Sequence, residues 1–447
     1  MVALGIIGLV IGIALVIFFA FKNLNLIIFA PICCLVMGLF NGMDLVEVVT
    51  VHYMDGFTFI ITIFFLVFLL GGLLAKIYEV SGAALAITNA IYNGFTRKAR
   101  LNAKHGEDIV LSPELAMLSI FAISVALTYG GLGVVVVTVV SAPIVVGIFR
   151  KSKMPNEMIP GTMLAAIAAG TPSLPGTASD QNILAGTLLG TDALSAAGIG
   201  IAGGVFILII NYVALTWWGK KNIAKKNFFD VNTTTDQSGD VADKKIPAWP
   251  VAIIPMVVIF VCYNAFKLHI VVSLTLGILV SIALFWNFIG GPKQLAKMLT
   301  PVAETTSITV LLMGSLTGLG AVVAAAPVFP VITEGLLSLP LPPMFTAAIA
   351  IMGVTAFASS GPSGITIALP NFKGMFDTLG ISLQSLHRTA VFASQTLDTL
   401  PQNPVLQLVV KYGETNVAKS YKYIFVSTVL NTTLGTLLVA ALFTALG

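Results

Sequence analysis

Asp398 is a carboxylate in the middle of an apolar span, within the run Ala393-Ser394-Gln395-Thr396-Leu397-Asp398-Thr399-Leu400-Pro401-Gln402-Asn403-Pro404. An ionised carboxylate at that depth costs at least about 2.5 kcal/mol, so it must be paired, protonated or bound to a cation. Those are the chemistries of ion coupling; capping of a restarting half-helix is the purely structural alternative. Asp180 lies in a second run of the same character, Ala169-Gly170-Thr171-Pro172-Ser173-Leu174-Pro175-Gly176-Thr177-Ala178-Ser179-Asp180-Gln181-Asn182. It sits nearer an end of its span and reads either as a second coupling carboxylate or as a water-exposed charge at a helix N-terminus. The prolines remove helix hydrogen bonds and Gly176 permits an extended kink, freeing backbone amides beside Thr171, Thr177, Ser179, Thr396, Thr399 and Asn403. A helix restarting after such a break turns its positive dipole end to the cavity, which suits a carboxylate without a full positive charge. A mere proline kink is the alternative.

Two further segments offer binding groups. Tyr129-Gly130-Gly131-Leu132-Gly133 and Ser359-Ser360-Gly361-Pro362-Ser363-Gly364 are small-residue tips inside uncharged apolar stretches. Gly131, Gly133 and Gly361 would let backbone approach a ligand closely, and Ser359, Ser360 and Ser363 supply hydroxyl donors. Arg388, beside His387 at the start of the second broken helix, is placed either to clamp a carboxylate or to snorkel to the interface. For Gly71-Gly72, Gly203-Gly204 and the glycines of 314–320 tight helix packing is the expected role.

The elements that must carry these residues repeat. Thr128, Pro143 and Phe149 recur as Thr355, Pro370 and Phe376 at an offset of 227, and Pro175 recurs as Pro401 at 226. Paired helix interruptions at matching places in two halves point to a solute site near the bilayer midplane. Spans of about 20 residues begin near 2, 25, 57, 156 and 194, and again near 249, 268, 304, 383 and 421. Stretches 113–149 and 343–370 read as re-entrant hairpins, allowed only where their backbone faces protein or a cavity. The expected fold is an all-α polytopic membrane protein of two inverted-topology repeats, each with five transmembrane crossings plus one re-entrant hairpin and a broken helix. Residues 1–218 form the first repeat, with scaffold helices in 1–80 and the hairpin and broken helix in 113–218. A cytoplasmic linker spans 219–247. Residues 248–447 form the second repeat, with scaffold helices in 248–325 and the hairpin and broken helix in 343–447. That topology puts 20 of the 23 basic residues on one side, leaving Lys267, Lys373 and Arg388 opposite. The bias makes the shared side cytoplasmic and places both termini outside.

Composition excludes most other classes. With 57% hydrophobic and 9% charged residues, the chain is far from the roughly one-quarter charge of a soluble domain. Its net charge of +4 is spread over loops between apolar segments, so it reports topology rather than a nucleic-acid partner. Cys33, Cys34 and Cys262 lie in apolar runs without metal-ligand spacing and read as buried free thiols. No P-loop, H-E-x-x-H or G-x-S-x-G is present. The expectation is a secondary transporter, not an enzyme, with no cofactor or metal, whose partners are a small organic anion, a coupling ion (H+, with Na+ as the alternative) and the lipid bilayer. An anion channel is the alternative of a different class.

The opening half, with Asn41-Gly42-Met43, Asp55-Gly56-Phe57 and Tyr78-Glu79-Val80-Ser81-Gly82-Ala83-Ala84, resembles the GntP family of gluconate permeases within the ion-transporter superfamily. The likeness continues through Leu174-Pro175-Gly176 and Lys411-Tyr412-Gly413-Glu414-Thr415. His387-Arg388-Thr389-Ala390 followed by Leu397-Asp398-Thr399-Leu400-Pro401-Gln402-Asn403 is similar to the D-beta-hydroxybutyrate permease branch. The resemblance implies proton-coupled uptake of small hydroxy monocarboxylates across a bacterial inner membrane by homodimers whose transport domains move like an elevator. One departure matters: gluconate permeases carry a histidine at each helix break, and here Leu174 and Gln395 stand in those places. Replacing a polar partner by Leu174 suits an acid shorter and less hydroxylated than gluconate.

Overall fold

The computed structural model describes residues 2–22, 24–102, 110–129, 134–229, 245–358, 360–401 and 403–446. Gly131, Gly133 and Ser359 of the expected site, and residues 230–244 of the expected linker, lie outside the described residues. Among those described the chain is helical throughout, without strands.

Helices α1 (Val2–Phe21) and α2 (Leu26–Phe40) are followed by a single turn, α3 (Leu45–Glu47), and a π-helical stretch Val48–Tyr53 that runs into α4 (Met54–Ser81). Asp44 starts this run by accepting from the amides of Val46 and Glu47, as an N-cap should. Gly82 closes α4 with φ +75°, and the chain bends by 67° into α5 (Ala83–Asn102). Next come a helical pair, α6 (Pro113–Tyr129) and α7 (Val134–Ser152), a broken helix made of α8 (Ile159–Ile167) and α9 (Asp180–Leu189), and α10 (Ala197–Ala224). The second part opens with α11 (Trp249–Asn264), α12 (Ile270–Ile289), α13 (Pro292–Ala325) and the short α14 (Phe329–Leu337). A second helical pair, α15 (Pro343–Ala358) and α16 (Gly361–Asn371), leads through α17 (Lys373–Thr378) to the second broken helix, α18 (Leu383–Ala393) and α19 (Pro404–Tyr412). The chain ends with α20 (Val417–Ile424), a π-helical stretch Phe425–Leu430 and α21 (Asn431–Leu446).

Two departures from the expected spans have plain causes. Helix α13 starts at Pro292, not near 304, because its charged first turns continue the apolar helix as an exposed, solvated extension. Its 34 residues reach roughly 50 Å at about 1.5 Å per residue, beyond a hydrocarbon core of about 30 Å. Helices α5 and α14 fall outside the expected spans: α5 is too polar over its 20 residues, and α14, with nine, is too short to cross. The expected topology has ten crossings; among the described residues five helices are long and apolar enough to cross a membrane, or six counting the bent α4–α5 pair. The shortfall has a physical origin: α2 and α11 are apolar but short, and α8–α9 and α18–α19 are interrupted.

Helices α1, α2, α4, α12 and α13 pack as one panel, in which α4 and α13 lie along each other. Glycines make that approach possible: a Cβ on Gly56 would sit 2.7 Å from the Thr317 carbonyl oxygen, and one on Gly318 would sit 2.6 Å from that of Tyr53. The packing role expected of 203–204 and 314–320 holds, with Gly203 against Phe392 and Gly320 against Ile367, whereas Gly71 borders open space. Cys33 and Cys34 are buried, and Cys262 is only partly so. Helices α6–α10 and α15–α21 form a second body built around the two broken helices, while α11 packs on α12 and α5, and α5 on α4 and α6.

Charged groups gather at the ends of α10. Near its C-terminus Lys220 pairs with Glu114, and Glu157 accepts from Asn227, Lys422 and Tyr423. Beyond its N-terminus Lys267 pairs with Asp192 at 2.9 Å and, by that hydrogen bond, holds the Asp192 carboxyl below the usual carboxylate range.

Candidate functional site: two helix breaks and a hairpin tip

The first break, between Ile167 and Asp180, is shaped by Gly170 and Gly176, whose φ values of +89° and +80° lie where only glycine is comfortable. Its hydroxyls turn inward. Thr171 donates to the Ala166 carbonyl at 2.8 Å, Thr177 to that of Leu174 at 2.9 Å, and Ser179 to that of Pro172 at 2.8 Å while capping α9. Asn182 Nδ2 donates to Thr177 Oγ1 at 2.6 Å and to the Pro172 carbonyl at 2.9 Å. These bonds satisfy carbonyls that the interruption of the helix leaves without helix partners, the accounting that any buried backbone requires.

Arg388, fully buried on α18, holds the other side of this loop. Its Nε donates to the Ser195 carbonyl at 3.1 Å, Nη1 to the Ser173 carbonyl at 2.9 Å and to Asn182 Oδ1 at 3.0 Å. Nη2 donates to the carbonyls of Ala193 and Ser195, both at 2.8 Å. A guanidinium has five donors, and all are engaged here by neutral oxygens. Arg388 neither snorkels nor presents a free fork; it braces the first break against the loop after α9. His387 beside it contacts Thr191 Oγ1 through Nδ1 at 2.7 Å and Asn182 Oδ1 through Nε2 at 3.3 Å.

In the second break Ser394 and Thr396 donate back to carbonyls of α18, at 3.0 and 2.8 Å, and Thr399 is bonded to Thr428. Asn403 caps α19, its Oδ1 accepting from the amides of Val405 at 2.8 Å and Leu406 at 3.1 Å. Its Nδ2 donates to the carbonyl of Asp398 at 2.9 Å and to Asp398 Oδ1 at 3.1 Å.

The breaks meet each other and the second hairpin. Gln395 Oε1 accepts the Gly170 amide at 3.0 Å, so the two interruptions are tied directly. Gly361, the first residue of α16, donates its amide to Asp398 Oδ1 at 2.9 Å. A Cβ at Gly361 would lie 2.7 Å from the Ser394 carbonyl oxygen and 3.1 Å from Gln181 Nε2. Helix α9 packs on α16, and α19 packs on α7 and α8, so each broken helix touches both hairpins' neighbourhoods. Tyr129 donates through its hydroxyl to the Pro175 carbonyl at 3.1 Å, bringing the end of α6 to the first break.

The structure thus brings Gly361, Asp398 and Asn403 together, with Asp180 within electrostatic range of Asp398. Ser360 caps α16 and Ser363 lies in its first turn. Gly176 bonds through its amide to the Ala193 carbonyl at 2.9 Å. The hydroxyls of Thr171, Thr177, Ser179, Thr396 and Thr399 serve the local frame. Gln395, Gln181 and Asn182 stand at the junction although their sequence signal was slight: polar amides one or two residues from a break, of which Gln395 alone had been singled out, as a family departure.

The chain matches no protein-family model. Across 473 aligned residues, 95% of this chain and 96% of the other, it is 24% identical to "Uncharacterized transporter YxjC" of Bacillus subtilis (strain 168). An all-helical chain with several apolar helices, similar along nearly its whole length to a protein so named, fits a polytopic membrane protein of the transporter class.

Proposed function

We propose that this protein is a secondary active transporter that carries a small hydroxy monocarboxylate, such as 3-hydroxybutyrate, together with a proton. The observation that supports it best is the meeting of two interrupted helices and a hairpin tip, through Gln395 with Gly170 and Asp398 with Gly361. Interrupted helices offer amides and dipole ends to an anion while excluding a full charge from the bilayer. A titratable carboxylate at that junction, Asp398 with Asp180 in electrostatic range, is where a coupling ion belongs. Leu174, 7% exposed and packed on Gly204, makes the first break less polar than a polyol acid would need, which favours a short acid over gluconate.

The order helix, helix, long helix, further helix, hairpin, broken helix, helix occurs in both halves, the fourth helix having 20 residues in the first half and 9 in the second, and we read it as an inverted-topology repeat. On this reading the panel of α1, α2, α4, α12 and α13 is the scaffold, the body of broken helices and hairpins is the elevator-like moving part, and the assembly is a dimer in a bacterial inner membrane. Sodium coupling and an anion channel are the competing readings. Uptake of labelled 3-hydroxybutyrate and gluconate into proteoliposomes under separate H+ and Na+ gradients tests all of them. Saturable, proton-driven accumulation of the shorter acid is expected; linear flux that never concentrates solute would mean a channel.

A further inference from the structure

We infer that Asp398 is a built-in occupant of the amide site at the start of α16, and that protonating Asp398 hands that site to the substrate's carboxylate. This rests on the transport reading above and supplies its coupling rule.

Helix α16 has 11 residues and begins at Gly361; Pro362 has no N–H and the Ser363 and Gly364 amides are taken by Ser360, so the Gly361 amide is the one that points out of the helix and favours an anion. At present an anion is already there: Asp398 Oδ1 accepts the Gly361 amide at 2.9 Å and Asn403 Nδ2 at 3.1 Å. Two buried donors without partners belong to the same helix start and to the break that carries Asp398. Ser363 Oγ, in the first turn of the same helix, is fully buried and makes no hydrogen bond. Gln395 Nε2 is likewise buried and unbonded, while its Oε1 is fixed on Gly170. Gln395 adjoins Ser394, whose carbonyl oxygen borders Gly361. A buried donor left unsatisfied is costly, and an arriving carboxylate with several lone-pair sites would satisfy both.

Asp398 and a substrate carboxylate therefore compete for the same amide. When a proton from solvent adds to Asp398, its oxygen becomes a weaker acceptor and the Gly361 N–H is released. A substrate carboxylate then accepts from Gly361 N–H, Ser363 O–H and Gln395 Nε2–H. No covalent bond other than the O–H on Asp398 forms, and the site holds one negative charge before and after. Empty and loaded sites thus carry equal charge, so both can cross the bilayer at similar electrostatic cost, whereas anion without proton cannot. Among the elements around Asp398, α9 brings Asp180, and α18 brings His387 and Arg388, which are engaged by Thr191, Asn182 and backbone carbonyls. Helices α15 and α16 contain no charged residue, α19 has Lys411 in its exposed last turn, and Lys293, Lys297 and Glu304 of α13 lie in that helix's exposed first turns.

The test uses the purified full chain, with 3-hydroxybutyrate and gluconate as probes. In weakly buffered solution with a pH indicator, wild type is expected to take up one proton per anion bound. Asp398→Asn is expected to bind and exchange probe with no proton uptake and to lose accumulation. Ser363→Ala is expected to bind about tenfold more weakly with the proton count unchanged, so the count remains decisive if Asp398→Asn does not fold. In proteoliposomes, uptake is expected to follow a pH gradient and to ignore a potassium diffusion potential at clamped pH. Anion binding without proton uptake, a proton still taken up by Asp398→Asn, or potential-driven accumulation would overturn the inference while leaving a carboxylate transporter. Failure of both probes to bind at any pH would overturn the transport reading itself, and the inference with it.

Discussion

Gln395 Oε1 and the Gly170 amide, 225 residues apart in the chain, meet at 3.0 Å and clasp the two broken helices together. The bond is fully buried, so its loss strands a backbone donor that water cannot reach. Gln395→Leu is therefore expected to destabilise the protein by about 1–3 kcal/mol, measured as earlier thermal unfolding in detergent. It should also reduce uptake more than its loss of folded protein accounts for, because it loosens one break relative to the other. Unchanged unfolding and uptake would mean that the breaks are held elsewhere.

Arg388 predicts a sharp difference between two cations. Lysine has three donors on a flexible stem and cannot span the carbonyls of Ser173, Ala193 and Ser195 together with Asn182. Arg388→Lys should leave at least one buried acceptor unsatisfied, at about 1–3 kcal/mol, and lower the folded yield. If Arg388→Lys folds normally and only its apparent affinity for carboxylates falls, the guanidinium acts on substrate directly and its bracing role is minor.

Gly361 is closed in by three elements, and Gly374 is open on all sides. Gly361→Ala forces the hairpin tip away from Ser394 and Asp398 and is expected to cut uptake at least tenfold in protein that still folds; Gly374→Ala should behave as wild type. Paired uptake and size-exclusion measurements decide this, and equal activity of the two variants would remove the tip from the site.

Topology can be read by labelling. In a background lacking Cys33, Cys34 and Cys262, single cysteines at Lys151 and Lys373 are expected to react with an impermeant maleimide from opposite faces of the membrane. Both positions are exposed. Reaction from one face would exclude the arrangement of five crossings and a hairpin per half.

The sequence by itself determined that lipid is the solvent, where the helices break, and which carboxylate of an apolar span stands at a break. Those facts follow from composition, from proline and glycine, and from the energetic cost of Asp398 in an apolar span, all of which are local. Only the tertiary structure decided how the polar side chains are used. Thr177, Ser179 and Thr399 look like ligands in the sequence, yet the folded chain turns Thr177 and Ser179 onto carbonyls of the interrupted helix, which must be satisfied inside the protein, and Thr399 onto the Thr428 hydroxyl. Arg388 looks like a clamp or a snorkel, and folding aims it at carbonyls some 190 to 215 residues away. Gln395 and Gly361 gain their places from contacts with Gly170 and Asp398 across the chain, and no local pattern encodes the partner of a hydrogen bond that long-range packing creates.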